Sequence, residues 1–68
     1  MRISARNVLR GKITAITKGA TTSHILLDIG GTIVTASITN ESVEDLGLKV
    51  GEAAAAVIKS SDVMIGVD

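Results

Sequence analysis

Apolar and polar residues alternate along most of this 68-residue chain with the period of two that marks half-buried β-strands. Over Asn7 to Thr17, the positions Leu9, Gly11, Ile13 and Ala15 fall on one face. Arg10, Lys12 and Thr14 fall on the other. The alternation then slips, because Ile16 is apolar where a polar residue is due and Thr17 is polar. A face that switches within one strand predicts a bulge or strong coil near Ala15 and Ile16, as where a strand bends around a barrel. Lys18-Gly19-Ala20-Thr21 reads as a loop. His24 to Ile29 predicts a second strand, Gly30-Gly31 a hairpin turn, and Thr32 to Ile38 a third strand rich in Thr, Val and Ile.

A short helix comes next. Thr39-Asn40-Glu41-Ser42 opens it, and Ser42-Val43-Glu44-Asp45 fits a hydroxyl-x-x-acid capping pattern. Gly47 ends it after one or two turns. Lys49-Val50-Gly51-Glu52 is a turn, Ala53 to Lys59 a fourth strand, Ser60-Ser61-Asp62 a turn and Val63 to Val67 a fifth strand. The expected fold class is all-β: a five-stranded OB-like barrel with one short helix between strands 3 and 4. Closing the sheet would also remove its exposed edges. A small open sandwich is the alternative. Residues 1–68 are expected to form a single domain, with no internal repeat, linker or low-complexity tract.

Composition changes this picture in one respect. Hydrophobic residues make up 46% of the chain and the mean hydropathy is +0.45, which is greasy for so small a monomer. There is no cysteine to staple the fold, so the excess apolar surface is expected to lie between subunits of a homo-oligomer. Phe, Trp, Tyr and Pro are also absent, leaving Ile, Val, Leu, Ala and Met to build the core. The lack of cysteine is compatible with a reducing cytoplasm. No basic-then-apolar leader opens the chain, and its longest apolar run, Ala53 to Ile58, is far short of a membrane span. A cytoplasmic protein without a membrane partner is expected.

Charge and side-chain chemistry narrow the function. Seven Lys and Arg balance seven Asp and Glu, so no overall positive field draws in nucleic acid. OB modules that bind nucleic acid use aromatic platforms and a basic groove, and this chain has no aromatic residue. A nucleic-acid partner is therefore not expected. A purely structural oligomer subunit stays open. No general base, paired nucleophile or ligand set for a metal cation is identifiable around the single histidine, His24, so no enzyme is expected. The charges are unevenly placed, since Arg2, Arg6, Arg10, Lys12 and Lys18 all precede the first acid, Asp28.

Four clusters carry donors suited to a small oxyanion. In Ser4-Ala5-Arg6-Asn7, Arg6 offers a permanent charge with a fork of N–H donors, Ser4 a hydroxyl, and Ala5 and Arg6 their amides. The plain alternative is a solvated strand start. Lys59-Ser60-Ser61 has the same donor chemistry, or is a simple turn. Thr39 and Ser42 sit where helix amides and the helix dipole favour an anion, or serve only as caps. Lys18 and Gly19 with Thr21, Thr22 and His24 form a donor-rich stretch, or a hairpin loop.

Taken together, Ser4-Ala5-Arg6-Asn7, Leu9 and Gly11-Lys12-Ile13 resemble the opening signature of the molbindin, or Mop, family of small molybdate-binding proteins. The likeness continues through Ser42 to Leu48, Gly51 and Val57 to Ile65, covering nearly the whole chain. The same module also forms C-terminal domains of molybdate-responsive regulators and transporter ATPases; this sequence carries neither partner domain and resembles the free-standing form. The resemblance implies an OB-like fold in a homohexamer arranged as a trimer of dimers. It implies intersubunit oxyanion sites filled by molybdate or tungstate, and no organic cofactor. Carried over to this sequence, the main site uses Ser4, Ala5, Arg6, Lys59 and Ser60, completed by Thr39 and Ser42, partly from a neighbouring subunit. A second site class on threefold axes is implied, and Lys18, Gly19, Thr21 and Thr22 are its candidates.

Overall fold

The computed structural model describes all 68 residues. Four strands form, β1 (Asn7–Lys18), β2 (Thr22–Asp28), β3 (Ile33–Thr39) and β4 (Ala53–Ile58). One helix, α1 (Asn40–Leu46), separates β3 from β4, and a single 3-10 turn follows β4 at Ser60–Asp62. All pairings are antiparallel, in the order β3-β2-β1-β4. The four strands agree with the alternation to within one or two residues at each end. Thr22 and Ser23 belong to β2 rather than to the preceding loop.

The expected fifth strand is the correction. Val63 to Val67 takes no regular structure, and Met64, Ile65 and Val67 are each about nine-tenths exposed or more. Alternation supplies only the faces of a strand, and a strand also needs a hydrogen-bonded neighbour. This segment pairs with neither edge strand, so the sheet stays open as a curled antiparallel sheet instead of a closed barrel.

The curl originates in β1. Asn7 to Lys12 pairs with β4, and Lys12 to Lys18 pairs with β2. Between these halves the register shifts, with Ile13 opposite Leu27 and Ala15 opposite Leu26. Thr14 is the extra residue of the bulge, and its Oγ1 donates to the Leu26 carbonyl at 3.3 Å. The bulge therefore lies one residue before the slip in the alternation, and it is what lets apolar residues on both sides of it reach one core. Ile13, Ile25 and Leu27 are buried there, with Ile16, Val34, Ala36, Ile38, Val43, Leu48, Ala54 and Ala56 packed around them.

The turns follow their local chemistry. Gly30 and Gly31 both have positive φ, +103° and +98°, and their N–H groups donate to Asp28 Oδ1 at 3.0 and 2.7 Å. The helix cap differs from the expected pattern. Thr39 is the N-cap, its Oγ1 accepting from the Ser42 N–H at 3.1 Å, so Ser42 lies inside the first turn. The hydroxyl three residues earlier wins because Thr39 is still extended, whereas Ser42 is already helical. At the other end Gly47 is left-handed. The Gly47 and Leu48 N–H groups donate to the Glu44 and Val43 carbonyls, the double bond of a Schellman closure.

Gly11 sits at the point where β1 changes partners. A Cβ there would collide with the Asp28 carbonyl oxygen and lie 2.8 Å from its carbon, both backbone atoms. Gly11→Ala is expected to force β1 and β2 apart and destabilise the fold by about 1–3 kcal/mol, the usual cost of overpacking. Thermal unfolding would show this as a drop in Tm, and an unchanged Tm would mean that β2 yields freely at Asp28.

Candidate oxyanion site

The antiparallel register of β1 and β4 decides which donors meet. Asn7 lies opposite Ile58, and the Asn7 Nδ2 donates to the Ile58 carbonyl at 3.2 Å. The residue before Asn7 and the residue after Ile58 therefore flank the same end of this ladder. Those residues are Arg6 and Lys59, the cations of the first two donor clusters. In the sequence Asn7 is only one letter of a signature; in the structure its side chain closes the ladder at the point from which both clusters emerge.

Ser4, Ala5 and Arg6 precede β1 outside any ladder, and the amides of Ala5 and Arg6 donate to no other backbone group. Ser4 and Arg6 are exposed and Ala5 is half-buried. Lys59 and Ser60 are exposed as well. Lys59 is the extended residue before the 3-10 turn, and its carbonyl accepts from Asp62 N–H at 2.9 Å. This end of the sheet thus presents two fixed positive charges, hydroxyls and unspent amides to solvent. Such a set suits an anion that accepts from all sides.

Thr39 and Ser42 lie elsewhere in the chain. Thr39 pairs with Thr22, next to Ser23, which pairs with Lys18 at the far end of twelve-residue β1. One chain therefore does not bring Thr39 and Ser42 to Ser4, Arg6, Lys59 and Ser60. Their hydroxyl oxygens are 2.8 Å apart, and the Ser42 amide is used by the cap. The Asn40 amide donates to the Thr21 carbonyl at 2.9 Å. Two of the first three helix amides are thus engaged, and what remains toward solvent is mainly hydroxyl chemistry.

Thr39 and Ser42 instead join the second candidate cluster. Lys18 ends β1, Gly19 N–H donates to the Thr22 carbonyl at 2.8 Å, and Thr22 begins β2. Lys18, Gly19, Thr21, Thr22 and His24 are all exposed. Holding this loop against the helix is a pair that sequence reasoning missed. Ser23 is buried, and its Oγ donates to Asn40 Oδ1 at 2.5 Å. Asn40 Nδ2 in turn donates to the carbonyls of Gly19 and Ala20 at 3.1 and 3.4 Å. The available signal was an asparagine at a strand-to-helix junction, where one amide group can both accept and donate.

Asn40→Ala removes this latch and leaves the buried Ser23 hydroxyl without its acceptor. The expected loss is about 1–3 kcal/mol, the usual penalty for an unsatisfied buried polar group. Amide hydrogen exchange is expected to quicken over residues 19–22 more than over β4. Uniform quickening across the chain would show that the pair has no local role.

Against known proteins, the TOBE domain family matches residues 3–65. A molybdenum-pterin-binding protein of Clostridium pasteurianum is 54% identical over 66 residues, covering 96% of this chain and 97% of that one. Among solved structures, a molybdate-binding protein from Sporomusa ovata superposes with a TM-score of 0.94 at 36% identity, covering 98% of this chain and 100% of that one. The cytoplasmic molybdate-binding protein ModG, with molybdate bound, superposes at 0.95 and 46% identity. All of this chain aligns there with 49% of ModG.

Proposed function

Because this chain belongs to the molbindin (Mop) family of TOBE domains, we propose that it is an intracellular molybdate-binding protein. The observation that supports the site is the Asn7–Ile58 register, from which Ser4-Ala5-Arg6 and Lys59-Ser60 leave at the same end of the ladder. Thr39 and Ser42 stand at the other end of β1; in this reading a neighbouring copy supplies them. The assembly is a homohexamer, a trimer of dimers, in which Lys18, Gly19, Thr21 and Thr22 supply the second, threefold class of site. Similarity to ModG, a cytoplasmic protein holding molybdate, supports both the ligand and the compartment. No helix of this chain is long and apolar enough to cross a membrane.

The donor set explains the choice of anion. Molybdate at neutral pH is a doubly charged tetrahedron that only accepts hydrogen bonds. Hydroxyls and amides solvate it, while Arg6 and Lys59 add attraction. Phosphate near neutrality keeps a proton that needs an acceptor, and a donor-only site leaves it unpaired. Sulfate is excluded by size, since a cage spaced for molybdate holds the smaller anion loosely. Tungstate matches molybdate in size and charge and binds in the same way. The role is storage or homeostasis rather than catalysis, because no general base or activated nucleophile is identifiable beside the donors.

The names of the curated relatives raise a second ligand form, molybdenum carried on a pterin. A pterin ring is commonly held by stacking on an aromatic side chain, and this chain has none. The free oxyanion is therefore the better match.

Calorimetric titration of the anion-free protein is expected to show tight uptake of molybdate and tungstate and no heat with sulfate. Equal binding of sulfate would remove the selectivity. Arg6→Ala is expected to weaken molybdate binding by about tenfold or more, the loss of one charge-assisted contact, with the fold intact by circular dichroism. Unchanged affinity in that variant would move the site away from the β1–β4 end. Bound anions between subunits also link ligand to assembly. Molybdate is expected to raise Tm, and sulfate at equal concentration to leave it in place.

A further inference from the structure

We propose that Asn7 is a positioning residue for the oxyanion site. It ties the segment that carries Ser4, Ala5 and Arg6 to the segment that carries Lys59, and it acts on the anion through the placement of Lys59. The inference rests on the β1–β4 end being the molybdate site, and it adds a residue that does not itself hold the anion.

Three observations meet here. The first is where the ladder stops. β1 and β4 pair from Lys12 opposite Ala53 to Asn7 opposite Ile58, and Arg6 and Lys59 lie one residue beyond that last rung. No ladder bond holds either cation. The bond from Asn7 Nδ2 to the Ile58 carbonyl, at 3.2 Å, closes this end and joins residues 51 apart in sequence.

The second is what the bond fixes. A peptide unit is planar, so a hydrogen bond to the Ile58 oxygen holds the whole Ile58–Lys59 unit and the Lys59 Cα with it. The next unit is held too, because the Lys59 carbonyl accepts from the Asp62 N–H at 2.9 Å. Lys59 is thus an extended residue, φ −66° and ψ 142°, between two restrained peptide planes. One restraint comes from its own turn. The other comes from a side chain of the Arg6 segment. Lys59 is exposed, so packing does little to hold it, and these bonds set where its side chain starts.

The third is the choice of residue. Asparagine is depleted in strands, yet one opens β1 ahead of Val8 and Leu9. Only a donor can meet a carbonyl oxygen, and asparagine places an N–H donor on a short stem. An ionised aspartate of the same shape could only accept. The lysine it steadies has a long, flexible stem, and a fixed base reduces the ordering that binding must supply.

The test is calorimetric titration with molybdate of the full-length wild type, Asn7→Leu, Lys59→Ala and the double variant. Asn7→Leu nearly keeps the side-chain shape and removes the donor. It is expected to weaken binding about fivefold, and to have much less effect in the Lys59→Ala background, where the residue it places has lost its charge. Thr14→Val is the control for stability, because it deletes another side-chain bond of β1, from Thr14 Oγ1 to the Leu26 carbonyl. This control is expected to lower Tm about as much as Asn7→Leu does and to keep wild-type affinity. Unchanged affinity in Asn7→Leu would overturn the proposal. So would an equal loss in Thr14→Val, which would assign the effect to stability. Equal fold losses with and without the Lys59 side chain would also overturn it, since Asn7 would then act independently of Lys59. A wild-type protein that takes up no molybdate would instead remove the site on which the proposal rests.

Discussion

The change of partner within β1 is the constraint on which the rest of the structure depends. One strand is bonded to β4 through Asn7–Lys12 and to β2 through Lys12–Lys18, with the Thr14 bulge just beyond the crossing. Without an extra residue, the side-chain period of two would set Ile13 and Ile16 on opposite faces of the strand, although both pack on one core. The bulge supplies the missing residue, and Gly11 supplies the room for the Asp28 carbonyl to pass. Ile13, next to the crossing, is consequently the most deeply buried hydrophobic side chain of the chain.

The same strand separates the two donor clusters. Its first residue is tied to Ile58, which gathers the Arg6 and Lys59 charges at one end. Its last residue pairs with Ser23, which reaches through Asn40 to the loop and helix at the other. The sheet itself thus places the two donor clusters at opposite ends of the molecule. One chain does not bring the two ends together. In a protein with as many acids as bases, local placement of cations does what net charge does not.

The apolar surface follows the same logic. Nearly half of the residues are hydrophobic, yet only Ile13, Ile25 and Leu27 are buried hydrophobics within one chain. Much of the remainder lines the apolar hollow beside the core or lies exposed, as Ile3, Ile33, Val50 and the segment after Asp62 do. A 68-residue chain has too little volume to enclose that much apolar area.

Sequence alone determined the elements. The period of two located the four strands, the slip at Ile16 announced the bulge, Gly30-Gly31 marked the hairpin and Gly47 the end of the helix. These are local properties of side-chain alternation and backbone freedom, readable without knowing any long-range contact. The donor chemistry of Ser4, Arg6, Lys59 and Ser60 was legible for the same reason, since it belongs to the side chains themselves. Three matters were decided only by tertiary structure. Thr39 rather than Ser42 caps the helix, because the cap is whichever hydroxyl stands on the last extended residue. Asn40 became the latch on Ser23 because β2 and β3 pair at Thr22 and Thr39. Val63–Val67 failed to become a strand within its own chain, because alternation prescribes the faces of a strand but a ladder partner has to be present for it to exist.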